Sequence, residues 1–282
     1  MTAPERQERL RSHLLQLVRE RDPYMATAGH FYVQEYIRSQ LSQWGTVEPH
    51  TFQQQQRTHT NLILNLPGQR QTDSIVLIGA HYDAVPGTPG ADDNASGVAA
   101  LLELAQALAA QPARYPVRLV AFDLEEYGMV GSEHYASDLQ QQGQKIRLML
   151  SLEMLGYCTQ APNSQQYPIE AMKAVYPSTG NFIGLIGNLP TTPDLLHFSH
   201  HIAKAGVPSQ WLPAGMRGEM VRATRLSDHA PFWDRGYKAI MVTDTAFMRN
   251  PHYHQTSDRL ETLDLDFMAG ICQGLIVAIQ AL

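Results

Sequence analysis

The stretch IVLIGAHYDAVPGTPGADDNASGVAALLELAQAL, residues 75–108, decides how this chain reads. Ile75-Val76-Leu77-Ile78 is a short continuous apolar run, as expected of a strand buried on both faces of a sheet. The run passes through Gly79-Ala80 and delivers His81-Tyr82-Asp83 where the strand stops. A loop with Pro86, Gly87, Pro89 and Gly90 follows, then Asp92-Asp93-Asn94-Ala95-Ser96-Gly97. From Val98 the pattern turns helical, with Leu101, Leu102, Leu104, Ala105 and Leu108 at helical spacing. One imidazole and three carboxylates are thus presented at the carboxyl end of a strand, the usual ligand edge of an open α/β sheet.

Those four groups point to a metal. Residues two apart on extended backbone face the same way, so His81 and Asp83 can act together. A ligating imidazole usually donates its second N–H to a carboxylate, and Asp83 is placed to receive it. Asp92 would supply a carboxylate able to bridge two cations. A helix N-terminus, where acidic residues are favourable anyway, accounts for one or two of the acids. It does not account for His81 or Asp83.

Downstream, Val117–Phe122 reads as another buried strand and ends in Asp123-Leu124-Glu125-Glu126-Tyr127-Gly128. A helix is expected near Ser132–Gln142, then a strand at Ile146–Leu152 that runs into Glu153. Three successive strands therefore each deliver carboxylates to one edge of the sheet. Packing offers no reason for this, and so many negative charges gathered together need cations to compensate them. Alternating strands and helices of this kind are the signature of an α/β fold with a largely parallel sheet.

The rest of the chain fits around that centre. Leu10, Leu14, Leu17 and Val18 predict a first amphipathic helix, and Phe31, Tyr32, Tyr36, Ile37, Leu41 and Trp44 a second that stops at Gly45. Strands are expected at Val47–Phe52 and Asn61–Leu66, joined by the polar connection Gln53–Gln56. Near the end come a strand at Lys238–Thr243, a loop from Asp244 to about Leu263, and a closing helix at Leu265–Leu282. No repeat or linker divides the 282 residues, so a single domain is expected, with helices in residues 1–45 packed on it.

Composition excludes several function classes. A net charge of −6 without a Lys/Arg cluster argues against nucleic acid. Cys158 and Cys272 are the only cysteines, too few for a disulfide framework or a thiolate metal site, and both read as buried small residues. The N-terminal residues carry charges throughout with no apolar h-region, and no window reaches membrane-spanning length. The expectation is a cytoplasmic protein, or a secreted one if a leader has been trimmed, that engages neither membrane nor nucleic acid.

One ordered set of motifs carries a family resemblance. It comprises His81-x-Asp83, Gly90-Ala91-Asp92-Asp93-Asn94-Ala95-Ser96-Gly97, Glu125-Glu126-Tyr127-Gly128 with Gly131-Ser132, and Glu153-Met154. It continues with Ser227-Asp228-His229, Pro231-Phe232-Trp233 and Tyr253-His254. The set resembles the M28 family of zinc-dependent aminopeptidases, from about His81 to the last helix. The resemblance implies a three-layer α/β/α fold with a central mixed, mostly parallel sheet, and two Zn2+ ions per chain. It implies Asp92 as the ligand shared by both metals, His81 and Glu153 completing one site, and Glu126 and His254 the other. Glu125 would be the general base that takes the proton of a metal-bound water to give the attacking hydroxide, and Asp83 the group that orients His81. A cis peptide between Asp92 and Asp93 is also implied, as are peptide substrates with a free N-terminus.

Other residues carry weaker signals. Spacing alone leaves His252 and His254 equivalent, and the family pattern selects His254. Arg249 suits either a substrate carboxylate or a brace of its loop. His197, His200 and His201 share one face of a helix without a nearby acid and read as a solvated face. Ser227-Asp228-His229 resembles part of a catalytic triad, but no nucleophile-elbow serine accompanies it. The polar segment 157–174 departs from simple family members and could line the substrate pocket. Two other readings share the scaffold. One is a glutaminyl cyclase-like acyltransferase with a single zinc, against which His81 argues, because a second metal needs its own ligand. The other is a non-catalytic binding domain, against which the intact ligand set argues.

Overall fold

The computed structural model describes residues 2–282. Eight strands form one sheet: β1 (Val47–Gln54), β2 (Arg57–Leu66), β3 (Ile75–His81), β4 (Val117–Phe122), β5 (Ile146–Glu153), β6 (Ile183–Gly187), β7 (Ser209–Pro213) and β8 (Ala239–Thr243). Their spatial order is β1-β2-β4-β3-β5-β8-β6-β7. The pairs β4/β3, β3/β5, β5/β8 and β6/β7 are parallel, whereas β1/β2, β2/β4 and β8/β6 are antiparallel. Every residue of β3 is buried, as its unbroken apolar run predicts.

Side-chain alternation divides the core between the two faces. Ile78, Leu119, Leu150 and Val242 point to one face, under α1 (Ala3–Leu17), α2 (Thr27–Leu41), α3 (Gly97–Ala110), α5 (Thr192–Lys204) and α7 (Leu265–Gln280). Leu77, Val120, Met149 and Met241 point to the other, under α4 (Val130–Gln141) and α6 (Ala230–Asp234). The result is an α/β/α arrangement built on a mixed sheet. Gly79 in β3 is required by this packing, because a Cβ there would lie 2.3 Å from the Phe122 ring on β4. Among the described residues no helix is long and apolar enough to cross a membrane.

The chain leaves β3 through α3 to reach β4 on one side, and leaves β4 through α4 to reach β5 on the other. The strand order therefore reverses at β3. A crevice outside the carboxyl ends of strands at such a switch point is where open α/β sheets bind ligands.

Local structure departs from expectation in three places. α2 buries Val33, Ile37 and Leu41, while Phe31 and Tyr32 face solvent; the i, i+4, i+8 stripe wins over the larger aromatics. Gln53 and Gln54 extend β1, and the hairpin turn is Gln55-Gln56, both at positive φ as a tight two-residue hairpin demands. Strands β6 and β7 leave little sequence signal, since each is only five residues long and two of the five in β6 are glycines.

Candidate metal centre

Four loops converge at the switch point. β3 ends at His81, the loop after β4 carries Glu125 and Glu126, β5 ends at Glu153, and the loop after β8 carries His254. Between them the chain turns through Ala91–Ser96 into α3. Sharp reversals aim these side chains inward: Leu124 before Glu125, Met154 after Glu153, and His254 itself all have positive φ. Such non-glycine outliers are uncommon and cluster at functional sites.

Two clusters of donor atoms result. In the first, His81 Nε2 lies 3.3 Å from Asp93 Oδ1 and 3.5 Å from Glu153 Oε1. In the second, His254 Nε2 lies 3.0 Å from Asp93 Oδ2 and 3.5 Å from Glu126 Oε2. Within each triad the candidate donor atoms lie within 4.8 Å of one another, and Asp93 belongs to both. His81 is wholly buried, yet neither of its ring nitrogens has a hydrogen-bond partner, nor has the buried Glu126 Oε1. Buried polar atoms are normally satisfied, so these orphans mark where a cation fits. One imidazole and two carboxylates per triad suit zinc, which takes nitrogen and oxygen donors and needs only three protein ligands at a catalytic site.

The structure brings His81, Glu126, Glu153 and His254 together as expected, but it puts Asp93, not Asp92, between them. The Asp92 carboxylate turns away and ties loops together. Its Oδ1 accepts from Gly156 N at 2.8 Å, and its Oδ2 from Asn250 Nδ2 at 2.7 Å. Asp258 fixes the choice, because its two oxygens accept from Asp92 N (2.9 Å) and Asp93 N (3.1 Å). The cis peptide is likewise Asp93–Asn94 and not Asp92–Asp93. Asn94 next anchors the turn to β5, donating to Leu152 O at 2.8 Å and accepting from Met154 N at 3.0 Å. Gly97 lets α3 start this close, since a Cβ there would lie 2.6 Å from Leu152 O.

Asp83 braces the Glu125–Glu126 turn and faces His81. Its oxygens accept from the backbone N–H groups of Glu125 and Glu126, each at 3.1 Å, and Oδ1 lies 3.4 Å from His81 Nδ1. Glu125 belongs to neither donor triad. Burial pushes its carboxyl well above the ordinary carboxylate range; Glu153, Asp228 and Asp83 add to this and His81 opposes it. Burial, then Asp93 and Glu125, does the same to Glu126. The Asp93 carboxyl is held below the ordinary range, because the His254 and His81 imidazoles outweigh the effect of burial. A site with so many carboxylates competes for positive charge, whether protons or a divalent cation.

The remaining candidates sort by geometry. His252 stays outside both triads, with Nδ1 at 2.9 Å from Ser257 Oγ. Arg249 is a brace: Nε donates to Gln165 Oε1, Nη1 to Phe182 O, and the guanidinium covers the Phe182 ring. Ser227 donates to Glu153 Oε2 at 2.7 Å, a fixing role the sequence did not reveal. Asp228 is fully buried with both oxygens unpartnered, and burial raises its carboxyl to about 7. His229 bonds Thr224 O and is pushed down to about 4 by burial. His197 and His201 are half-buried, with His197 Nε2 2.8 Å from Ala278 O, so only His200 is fully exposed on the expected solvated face. Cys272 is buried as expected; Cys158 is only half-buried.

An apolar pocket opens beside Glu153 and Tyr253, lined by Ile186, Leu226, Met241 and Phe247. It adjoins a second apolar cavity through shared walls at Ile186, Ala223, Thr245 and Met248. Tyr167 and Met172, from the polar segment 157–174, line that second cavity.

Known proteins resemble this chain in sequence and in fold. The protein YfbL of Escherichia coli is 38% identical over 217 residues, which span 72% of this chain and 65% of YfbL. Leucine aminopeptidase 1 of Fusarium vanettenii is 28% identical over 234 residues, spanning 78% of this chain and 53% of the relative. The chain thus covers about half to two thirds of the length of these relatives. Among solved structures, the Legionella pneumophila LapA aminopeptidase superposes with a TM-score of 0.75 at 19% identity, over 97% of this chain and 70% of LapA. A Fimbriiglobus ruber glutaminyl cyclase gives 0.74 at 20% identity, over 98% and 95%. The zinc aminopeptidase BSAP of Bacillus subtilis gives 0.59 at 25% identity, over 80% and 50%. Residues 61–278, which hold every donor described above, match the model of peptidase family M28, and the chain belongs to that family.

Proposed function

We propose that the chain is a zinc-dependent aminopeptidase that hydrolyses the N-terminal peptide bond of peptides. The observation that carries this reading is the pair of donor triads sharing Asp93. His81, Asp93 and Glu153 would hold one zinc ion, and Asp93, Glu126 and His254 the other. Such a pair of ions supplies Lewis acidity, which acidifies a water and polarises a carbonyl.

The chain's own residues supply the rest. Glu125 takes the proton of the attacking water and passes it to the leaving amine. Its raised carboxyl suits an acceptor that must also give the proton back. Asp83 keeps Glu125 in register through the backbone N–H bond and faces His81 Nδ1. Ser227 holds Glu153 Oε2, leaving Oε1 toward His81. The crowded carboxylates attract a free α-ammonium group, which favours cleavage at the N-terminus. The apolar pocket beside Glu153 receives an apolar first side chain. A cyclase-like acyltransferase with one zinc would leave the second triad without a purpose.

Zinc-reconstituted protein is therefore expected to release p-nitroaniline from leucyl, methionyl or phenylalanyl substrates about 10–100-fold faster than from charged ones. Chelation should abolish the activity. Cyclisation of N-terminal glutaminyl peptides with no hydrolysis of the panel would overturn the reading in favour of the cyclase.

His254→Ala is expected to weaken one zinc far more than the other, because it removes a donor from only one triad. His252→Ala leaves both donor triads intact and should leave zinc uptake within a few fold. Zinc titration of the two metal-free variants decides between them, and a larger loss in the His252 variant would reverse the assignment.

A further inference from the structure

The segment joining α1 to α2 lies before residue 61, where the family match begins. It nevertheless touches both loops that frame the shared donor. The Arg21 side chain is buried and donates only to backbone carbonyls on the loop side: Nε to Tyr82 O at 2.9 Å, Nη1 to Pro89 O at 2.6 Å, and Nη2 to Gly90 O at 2.8 Å and Asp93 O at 3.1 Å. Nη1 also reaches Leu17 O and Arg19 O at the end of α1. One guanidinium thus spans from the residue after His81 to Asp93 itself. Gly90 makes room for it, since a Cβ there would lie 2.8 Å from Nη2.

The next residue grips the other loop. Asp22 Oδ1 accepts from Tyr24 N and Met25 N, which fixes the carboxylate, and Oδ2 accepts from Tyr127 Oη at 2.7 Å. Tyr127 directly follows Glu125-Glu126. At the start of α2, His30 Nε2 lies 2.8 Å from Asp123 Oδ1, where β4 gives way to the same loop. Burying a guanidinium among neutral acceptors is expensive, so a segment that only filled space would carry an apolar residue at position 21.

We infer that Arg21 and Asp22 are positioning residues that set the Asp93 turn against the Glu126 loop, and so fix the second donor triad around its shared carboxylate. This rests on the zinc reading of the site. A segment that merely stabilised the fold would lower the melting temperature without discriminating between the two ions. The clamp acts asymmetrically. Tyr127→Phe removes only a hydroxyl, leaves the Glu126 loop with Asp83 as its brace but without its tie to Asp22, and should weaken zinc at the Glu126–His254 triad by about 10–100-fold, with the His81–Glu153 triad within a few fold. Arg21→Lys loses the fork that spans the Asp93 turn and should weaken both ions, because Asp93 serves both. In an Asp22→Ala background, Tyr127→Phe should add nothing.

The test is zinc titration of the metal-free full chain against a chromophoric chelator, with thermal melts of the same samples. One constant lowered against the unaltered chain in Tyr127→Phe with the other within a few fold, and two lowered constants in Arg21→Lys, bear the clamp out. If Arg21→Lys does not fold, Tyr127→Phe and the Asp22→Ala background decide alone. Variants that bind two zinc ions as tightly as the unaltered chain, or Tyr127→Phe weakening both ions equally, overturn the clamp and leave the zinc reading standing. An unaltered chain that takes up no zinc overturns the zinc reading and the clamp with it.

Discussion

Glu125→Gln is expected to lower kcat by about 10²–10⁴-fold while zinc content and affinity stay within a few fold of the unaltered chain. The effect is confined because Glu125 lies outside both donor triads. Its backbone is fixed independently of its carboxyl, with the N–H on Asp83 and the carbonyl accepting from Gly128 N and Met129 N. Glutamine keeps the shape but cannot accept and return a proton. Steady-state rates on leucyl-p-nitroanilide, with elemental analysis of the same samples, check the expectation. Near-normal turnover would remove Glu125 from the role of base, and loss of zinc would make it a ligand.

The second large effect separates two neighbouring aspartates. Asp93→Asn should weaken both zinc ions by more than the ~10–100-fold typical of partners behind the ligands, because its carboxylate faces both triads. Asp92→Asn should leave two ions per chain. It disturbs the links to Gly156 N and Asn250 Nδ2, and leaving a buried donor unmatched costs about 1–3 kcal/mol. In a chain of this size each kcal/mol lowers the Tm by roughly 2–4 °C. Zinc equivalents and melting curves of the two variants are measured side by side. Zinc lost from the Asp92 variant and kept by the Asp93 variant would restore the assignment expected from sequence.

That pair of residues also marks where the sequence stops being legible. β3, α3 and the strand ends carrying Glu125, Glu126 and Glu153 are local patterns, written in apolar runs and helical spacing. Asp92 and Asp93 are chemically identical neighbours, and nothing local tells which one faces inward. The backbone direction that separates them is set by Asp258 and Asn250, more than 150 residues away. Arg21 was invisible for a related reason: in the run Arg19-Glu20-Arg21-Asp22 it reads as one more solvated charge. Only the fold brings Pro89, Gly90 and Asp93 to it. In α2 the aromatic rings of Phe31 and Tyr32 suggested a buried face, yet the core accepted the aliphatic stripe of Val33, Ile37 and Leu41.

The central claim is that two metals share Asp93. Anomalous diffraction at the zinc edge, from crystals of fully active zinc-loaded protein, tests it most directly. The account predicts two peaks per chain, one on each side of the Asp93 carboxylate, flanked by His81 and Glu153 and by Glu126 and His254. A single peak at full activity, or a pair centred on Asp92, would contradict it.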